Sequence, residues 1–312
     1  MKHHFLAMCL STPWALRHEV MSAYAGILSR RFAVKEGLVA GRDGSGPEDE
    51  VGHGTPIAAA RGGSPARAGS GSIAVIPIRG TIVQRADMLD LCEGGTSTED
   101  IAQALRMAMA DDTVGQILLH IHSPGGSVYG VSELFDEIRS ARDTKPVVAI
   151  ADSLAASAAY WIGCAAGEFY VTPGGEVGSI GVWSAHQNIA KHLELLGVDI
   201  TLISAGKFKT EGHPYSSLEP EAKDFMQKRV DEYYGMFANA VAKGRGVPIA
   251  QVREHMGQGR VLGAADAAEE KMVDGVMTFQ EVVKKMQRDG KSARTPGRSA
   301  RANARAIEIL SL

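Results

Sequence analysis

The chain has 312 residues, 45% apolar and 22% charged, with a formal net charge of −3. That length sustains a sizeable core, and the balance of charge excludes attachment to nucleic acid or an anionic membrane through bulk electrostatics. The three cysteines, Cys9, Cys92 and Cys164, form no C-x-x-C pair, which excludes a disulfide scaffold and a cysteine zinc site and suits a reducing compartment.

Taken in chain order, Lys2 precedes the apolar stretch Phe5–Leu10, and Ala23-Tyr24-Ala25 mimics a cleavage site. Pro13, Arg17, His18 and Glu19 interrupt the unbroken apolar core that a signal peptide needs, so none is expected. No apolar run approaches the ~18 residues of a membrane span; Leu154–Gly167, the nearest, reads as a buried Ala-rich helix. Residues 12–35 carry helical spacing in Trp14, Leu16, Val20, Ala23, Tyr24, Ile27 and Leu28, with Pro13 in the first turn. Residues 1–40 are therefore expected to form an amphipathic helical appendage, and 41–71, rich in Gly, Pro, Ser and Ala, a flexible linker.

From 72 to 288 strand and helix patterns alternate, which predicts an α/β domain. Strands are expected at 73–78, 114–121, 147–150 and 200–203. Ser97-Thr98-Glu99-Asp100 resembles a capping box opening a helix. Further helices are expected around 131–138, at 189–196 with a stop at Gly197, and from about 220 to 243 with Phe225, Val230, Tyr233, Phe237 and Val241 inward. Residues 289–312 read as a basic disordered tail, or as an arm for an acidic partner or nucleic acid: from 290 onward five basic residues oppose only Glu308.

Four segments carry chemistry. Ser123-Pro124-Gly125-Gly126 follows a strand, and adjacent glycines let backbone N–H groups converge on a ligand as an oxyanion hole requires; a plain tight turn uses the same residues. Ser157, in Ala155-Ala156-Ser157-Ala158-Ala159-Tyr160, opens a helix whose positive end favours a developing anion, or simply caps it. Ser179 is framed by glycines in Gly178-Ser179-Ile180-Gly181. Lys207 and Lys209 follow the strand expected at 200–203. One residue separates them, so on an extended segment they share a face and spacing does not choose between them.

Together these motifs, with Gly259–Ala267 and Lys271-Met272-Val273-Asp274-Gly275, resemble the signal peptide peptidase A family of S49-type serine proteases over about residues 72–285. The resemblance implies the Clp-protease/crotonase-like spiral of ββα units. It implies Ser157 as nucleophile, Lys209 as general base, Ser179 as the group orienting the lysine amine, and the N–H groups of Gly126 and Ala158 as the oxyanion hole, with no metal or cofactor. Ala158 and Ala159 stand where the family commonly has Gly-Gly, which implies a narrower cleft. A lysine acts as base only when neutral; bringing one from ~10.4 to about 7.5 corresponds to roughly 4 kcal/mol, supplied by burial against apolar walls. Other constellations are a Clp-type triad using His186, a metal pair of His120 and His122 lacking a third ligand, and acyl-CoA chemistry on the same fold, which leaves Lys209 unexplained.

Within the family, the opening segment Ser11-Thr12-Pro13-Trp14-Ala15, the linker and the basic tail are similar to the phage head-maturation branch, the capsid assembly proteases. That likeness implies a homo-oligomeric ring whose sites are completed by adjacent protomers. Its peptide substrates would be scaffold and capsid or portal proteins, cleaved in the prohead or host cytoplasm, with no membrane anchor and no nucleic acid. A soluble bacterial housekeeping peptidase and a non-catalytic capsid component are the alternatives.

Overall fold

A computed structural model describes residues 13–16, 72–85 and 95–292, with side chains to 290. The elements are β1 (Trp14–Leu16), β2 (Ser72–Val83), β3 (Gly95–Ser97), α1 (Thr98–Ala110), β4 (Val114–Ser127), α2 (Val131–Arg142), β5 (Val147–Ala156), α3 (Ala158–Gly163), β6 (Glu168–Val171), β7 (Glu176–Gly178), α4 (Ala190–Leu195), α5 (Pro220–Arg245), α6 (Ile249–Glu254), β8 (Val261–Gly263), α7 (Ala264–Glu269), β9 (Gly275–Val276) and α8 (Phe279–Ser292). The nine strands among the described residues form one sheet, ordered β3-β2-β4-β5-β6-β9 along its parallel path. β1 pairs antiparallel with β4, and β7 joins the upper end of β5 to β8.

The pleat of β4 divides the core. Ile117, Leu119 and Ile121 enter the main cluster with α1, α2 and α3, while Leu118 enters a smaller one with Val148, Ile150, Tyr170, Val282 and Met286 under α8. Both faces are covered, which is why the strand reads as a nearly continuous apolar run. α1 begins as expected: the Ser97 side chain accepts the Asp100 N–H at 3.0 Å. α3 is wholly buried, and its Trp161 stacks on Phe237 of α5 with ring centroids 4.7 Å apart.

Four expectations change. Leu154–Gly167, expected as a helix, gives Leu154–Ala156 to β5 and is helical only over Ala158–Gly163. Trp14–Leu16, expected in a helix, is a strand whose backbone pairs with Gly125–Ser127; a partner edge decides such a short segment over its propensity. The remainder of 1–40, the linker 41–71 and the tail beyond 292 lie outside the described residues. Residues 200–203 form no strand, because the segment has left the sheet and among the described residues no strand edge meets it. α5 reaches inward with Phe237 and Val241, whereas Phe225 in its first half is exposed. The exposed side chains of Leu195, Leu196, Val198, Ile200, Leu202, Ile203 and Phe208 continue this bare face, with Leu195 at 86% and Ile203 at 96% exposure.

The end of α5 is pinned to the sheet by Arg245, 6% exposed, whose two terminal nitrogens donate to the two Asp274 oxygens at 2.9 Å while Nε donates to the Lys271 carbonyl. Burial pushes the Asp274 carboxyl up, but hydrogen bonds from Arg245 and the Phe169 N–H outweigh it and leave it below its ordinary value. A lowered folded value stabilises the fold above the unfolded carboxylate range and is lost as pH falls through the folded one. Asp274→Asn should cost about 2 kcal/mol at pH 7, reduced from a fully buried pair because Asp274 is partly exposed. Urea unfolding should show that gap narrowing below about pH 4. Cys164, fully buried in α3's wake, has its thiol pushed up to about 12 by burial. Peptide mapping after maleimide treatment at pH 8 should find it unlabelled in folded protein and labelled in urea.

Candidate active site

Ser157 stands where β5 ends and α3 begins, with φ 57° and ψ −120°, outside the regions a serine ordinarily adopts. The Ser157 N–H donates to the Gly178 carbonyl at 2.7 Å, and the Ser157 carbonyl accepts the Trp161 N–H at 2.9 Å. The first bond holds the strand end and the second starts the helix, so the bend between them is fixed from both sides. The flanking Ala155, Ala156, Ala158 and Ala159 are all fully buried, which explains the run of small residues: larger ones would collide at the bend. A non-glycine residue held in such a region costs about 1–3 kcal/mol, and such strain concentrates at functional sites.

Ser179 arrives beside it through the sheet. Ala156 pairs with Gly178 across β5 and β7, so the two serines are the next residues along neighbouring strands. Ser179 also has a positive φ of 53°, and its N–H donates to the Arg260 carbonyl at 2.7 Å. From the other side, β4 does not turn after Ser123 but stays extended through Gly125 and Gly126 to Ser127. The Ser123 hydroxyl organises this stretch, donating to the Gly80 carbonyl at 2.6 Å and accepting the Gly125 N–H at 3.1 Å. A Cβ placed on Gly125 would lie 2.9 Å from Ser157 Cβ, and one on Gly126 would lie 1.8 Å from the Ile82 carbonyl oxygen. Both glycines are required by close approach, and it is Gly125, at φ +101°, that faces the serine. The glycine pair was visible in the sequence; which member meets Ser157 was not.

Ser157, Ser179, Gly126 and Ala158 are thus gathered at the carboxyl ends of β4, β5 and β7. Lys209 is elsewhere within the chain. It is exposed and lines a cavity of about 450 Å³ with His186, Thr210, His213 and Phe225, whereas Ser179 lines one of about 820 Å³ with Trp183, Asp231, Tyr234 and Arg253. The two cavities share no lining residue. Lys207 is engaged differently, its Nζ 3.0 Å from Glu221 and 4.4 Å from the centre of the Phe208 ring. His186 directs Nε2 to the His213 carbonyl at 3.0 Å, in the Lys209 cavity and not beside Ser157. His120 and His122 both turn to Asp152, through its carboxylate and its carbonyl, each at 2.7 Å.

Comparison with known proteins follows the same lines. The model of peptidase family S49 matches residues 139–293, and the Clp protease model matches residues 90–177. The parallel sheet and the second match give the domain the Clp-protease-like α/β fold. The chain is 36% identical over 222 residues to Capsid assembly protease C of Escherichia phage lambda, covering 71% of this chain and 50% of that protein. It is 39% identical over 180 residues to Head-tail preconnector protein GP5 of Enterobacteria phage P21, covering 58% and 36%. It is 29% identical over 216 residues to Protease 4 of Haemophilus influenzae, covering 69% and 34%. The chain spans half or less of the length of these relatives.

The strain at Ser157 has a direct readout. Glycine relieves the backbone at this position and alanine does not, while glycine loses about 0.5–1 kcal/mol through chain entropy. Ser157→Gly should therefore be more stable than Ser157→Ala by about 1 kcal/mol in denaturant titration. The reverse order would contradict the strained bend.

Proposed function

We propose, from the premise that the chain belongs to peptidase family S49, that it is a serine endopeptidase working through a Ser157–Lys209 dyad. The observation that carries the reading is the strained Ser157, held at a helix start against Gly125 and beside Ser179. In the proposed reaction the Ser157 oxygen attacks the scissile carbonyl as its proton passes to the neutral Lys209 amine. Ser179 orients that amine, and the N–H groups of Gly126 and Ala158 hold the oxyanion. The lysine ammonium then protonates the leaving amine, giving an ester on Ser157. Water, deprotonated by the same lysine, hydrolyses the ester and restores the serine.

An exposed Lys209 lacks the burial that a neutral amine requires. A second copy of the chain supplies it in our reading: Lys209 of one protomer enters the site of the next. The bare apolar face from Leu195 to Phe208 supports this, since such a surface is ordinarily covered. It is also where the unpaired stretch 200–203 would find a strand partner. The assembly is a homo-oligomeric ring. Likeness to the phage lambda and phage P21 proteins supports scaffold, capsid or portal proteins as substrates and the prohead or host cytoplasm as the setting. Among the described residues no helix is long and apolar enough to cross a membrane. Likeness to Protease 4 keeps a bacterial peptidase role as the second reading.

Co-expressed Ser157→Ala and Lys209→Ala chains test both the dyad and its sharing. Each variant alone should be inactive, and mixed assemblies should regain a fraction of wild-type proteolysis, because some interfaces pair an intact serine with an intact lysine. Mixed assemblies seen by native mass spectrometry without regained activity would place both residues in one chain. Wild-type activity in Ser157→Ala would remove the serine from the mechanism.

A further inference from the structure

We infer that Pro13–Leu16 occupies the peptide groove of the active site as a built-in strand, which a substrate must displace; this rests on the serine-peptidase reading of Ser157. The register places the segment there. β1 runs antiparallel to β4 with Trp14 opposite Ser127, Ala15 opposite Gly126 and Leu16 opposite Gly125. Gly125 is the residue that faces Ser157, and among the described residues no other strand pairs with Gly125–Ser127 from that side. Across the groove, Trp14 exchanges both backbone hydrogen bonds with Trp183: its N–H donates to the Trp183 carbonyl at 2.9 Å, and its carbonyl accepts the Trp183 N–H at 3.0 Å. The segment is therefore clasped between two backbone edges.

That is how a peptidase holds an extended substrate. Main-chain hydrogen bonds on both sides are indifferent to sequence, and alternate side chains enter the walls. The position relative to the nucleophile agrees. A Cβ on Gly125 would lie 2.3 Å from the Ala15 carbonyl oxygen and 2.9 Å from Ser157 Cβ, so the Ala15–Leu16 backbone and the serine crowd the same point. With the strand in place, Trp14 and Ala15 are buried and Ser157 is 1% exposed. A covered nucleophile cannot meet a protein substrate until the cover moves. The strand also defines an acceptable ligand: an extended peptide with a small residue at the fully enclosed Ala15 position and a large aromatic one before it.

The full-length chain tests this with a fluorophosphonate probe, whose phosphorus bonds to the serine oxygen as fluoride leaves and the serine proton passes to the base. Ala15→Asp puts a charge where none is tolerated and should expel the strand; Trp14→Ser is the milder variant. Labelling at Ser157, located by peptide mass, should be at least tenfold faster in a folded variant than in the parent. A synthetic peptide of residues 11–18 should slow it again. Hydrogen exchange on the parent gives a measurement independent of either substitution: amides of residues 14–16 should exchange faster once the probe is attached. Equal labelling rates with no effect of the peptide, or exchange unchanged by the probe, would overturn the groove assignment while leaving the nucleophile intact. Absence of labelling at Ser157 in both folded proteins would overturn the serine-peptidase reading, and the groove assignment with it.

Discussion

The backbone at Ser157 bends at a point where nothing large fits. β5 must stop, α3 must start, and the glycines of β4 must pass close by, all around a residue at φ 57° and ψ −120°. Two hydrogen bonds, from Ser157 N–H to Gly178 and from Trp161 N–H to the Ser157 carbonyl, hold the bend open. The strain is tolerated because its surroundings over-determine it. α3 is buried on every side, Trp161 is stacked on Phe237, and the Tyr160 hydroxyl donates to the Met272 carbonyl at 3.0 Å. The alanine run, Gly125 and the packing of α5 all follow from keeping this one serine in an unfavourable conformation.

The same economy separates the molecule into a rigid part and a bare part. The sheet and its covering helices are closed by the Arg245–Asp274 pair, which ties α5 to the loop before β9. Beyond Trp183 the chain leaves this body and carries apolar side chains outward through α4 and the stretch to Phe208. Water is a poor solvent for such a face. Lys209 lies at its end, so on our reading one contact between copies both covers apolar surface and carries the base to the serine. Assembly and activation would then be one event.

The strand Trp14–Leu16 adds a second layer of control on that reading. A ring with complete dyads would still hold its own segment in the groove, and only a peptide that pairs equally well with Gly125–Ser127 and Trp183 would replace it. Competition of this kind selects extended, unfolded or loosely held substrates, because a folded segment cannot offer its backbone to both edges.

Much of this was legible in the amino-acid order. Period-two and helical patterns located β2, β4, β5, α1, α2 and α5 because those elements bury a face, and burial writes itself into spacing. The Ser97 cap was legible because capping is local. Ser157, Ser179 and the glycine pair were singled out by the order of motifs that resembles the S49 proteases, because each segment alone reads as readily as a cap or a turn. Three things needed the fold. Trp14–Leu16 carries helical spacing and becomes a strand only because the edge of β4 is offered to it. Residues 200–203 carry a strand's composition and form none, because pairing is a property of two segments. Whether Lys209 is buried depends on what stands opposite it, and a single sequence specifies a surface without specifying its neighbour. Local preference is set by adjacent residues; register, cover and the meeting of a serine with its base are set by contacts between segments far apart in the chain, which only the tertiary structure decides.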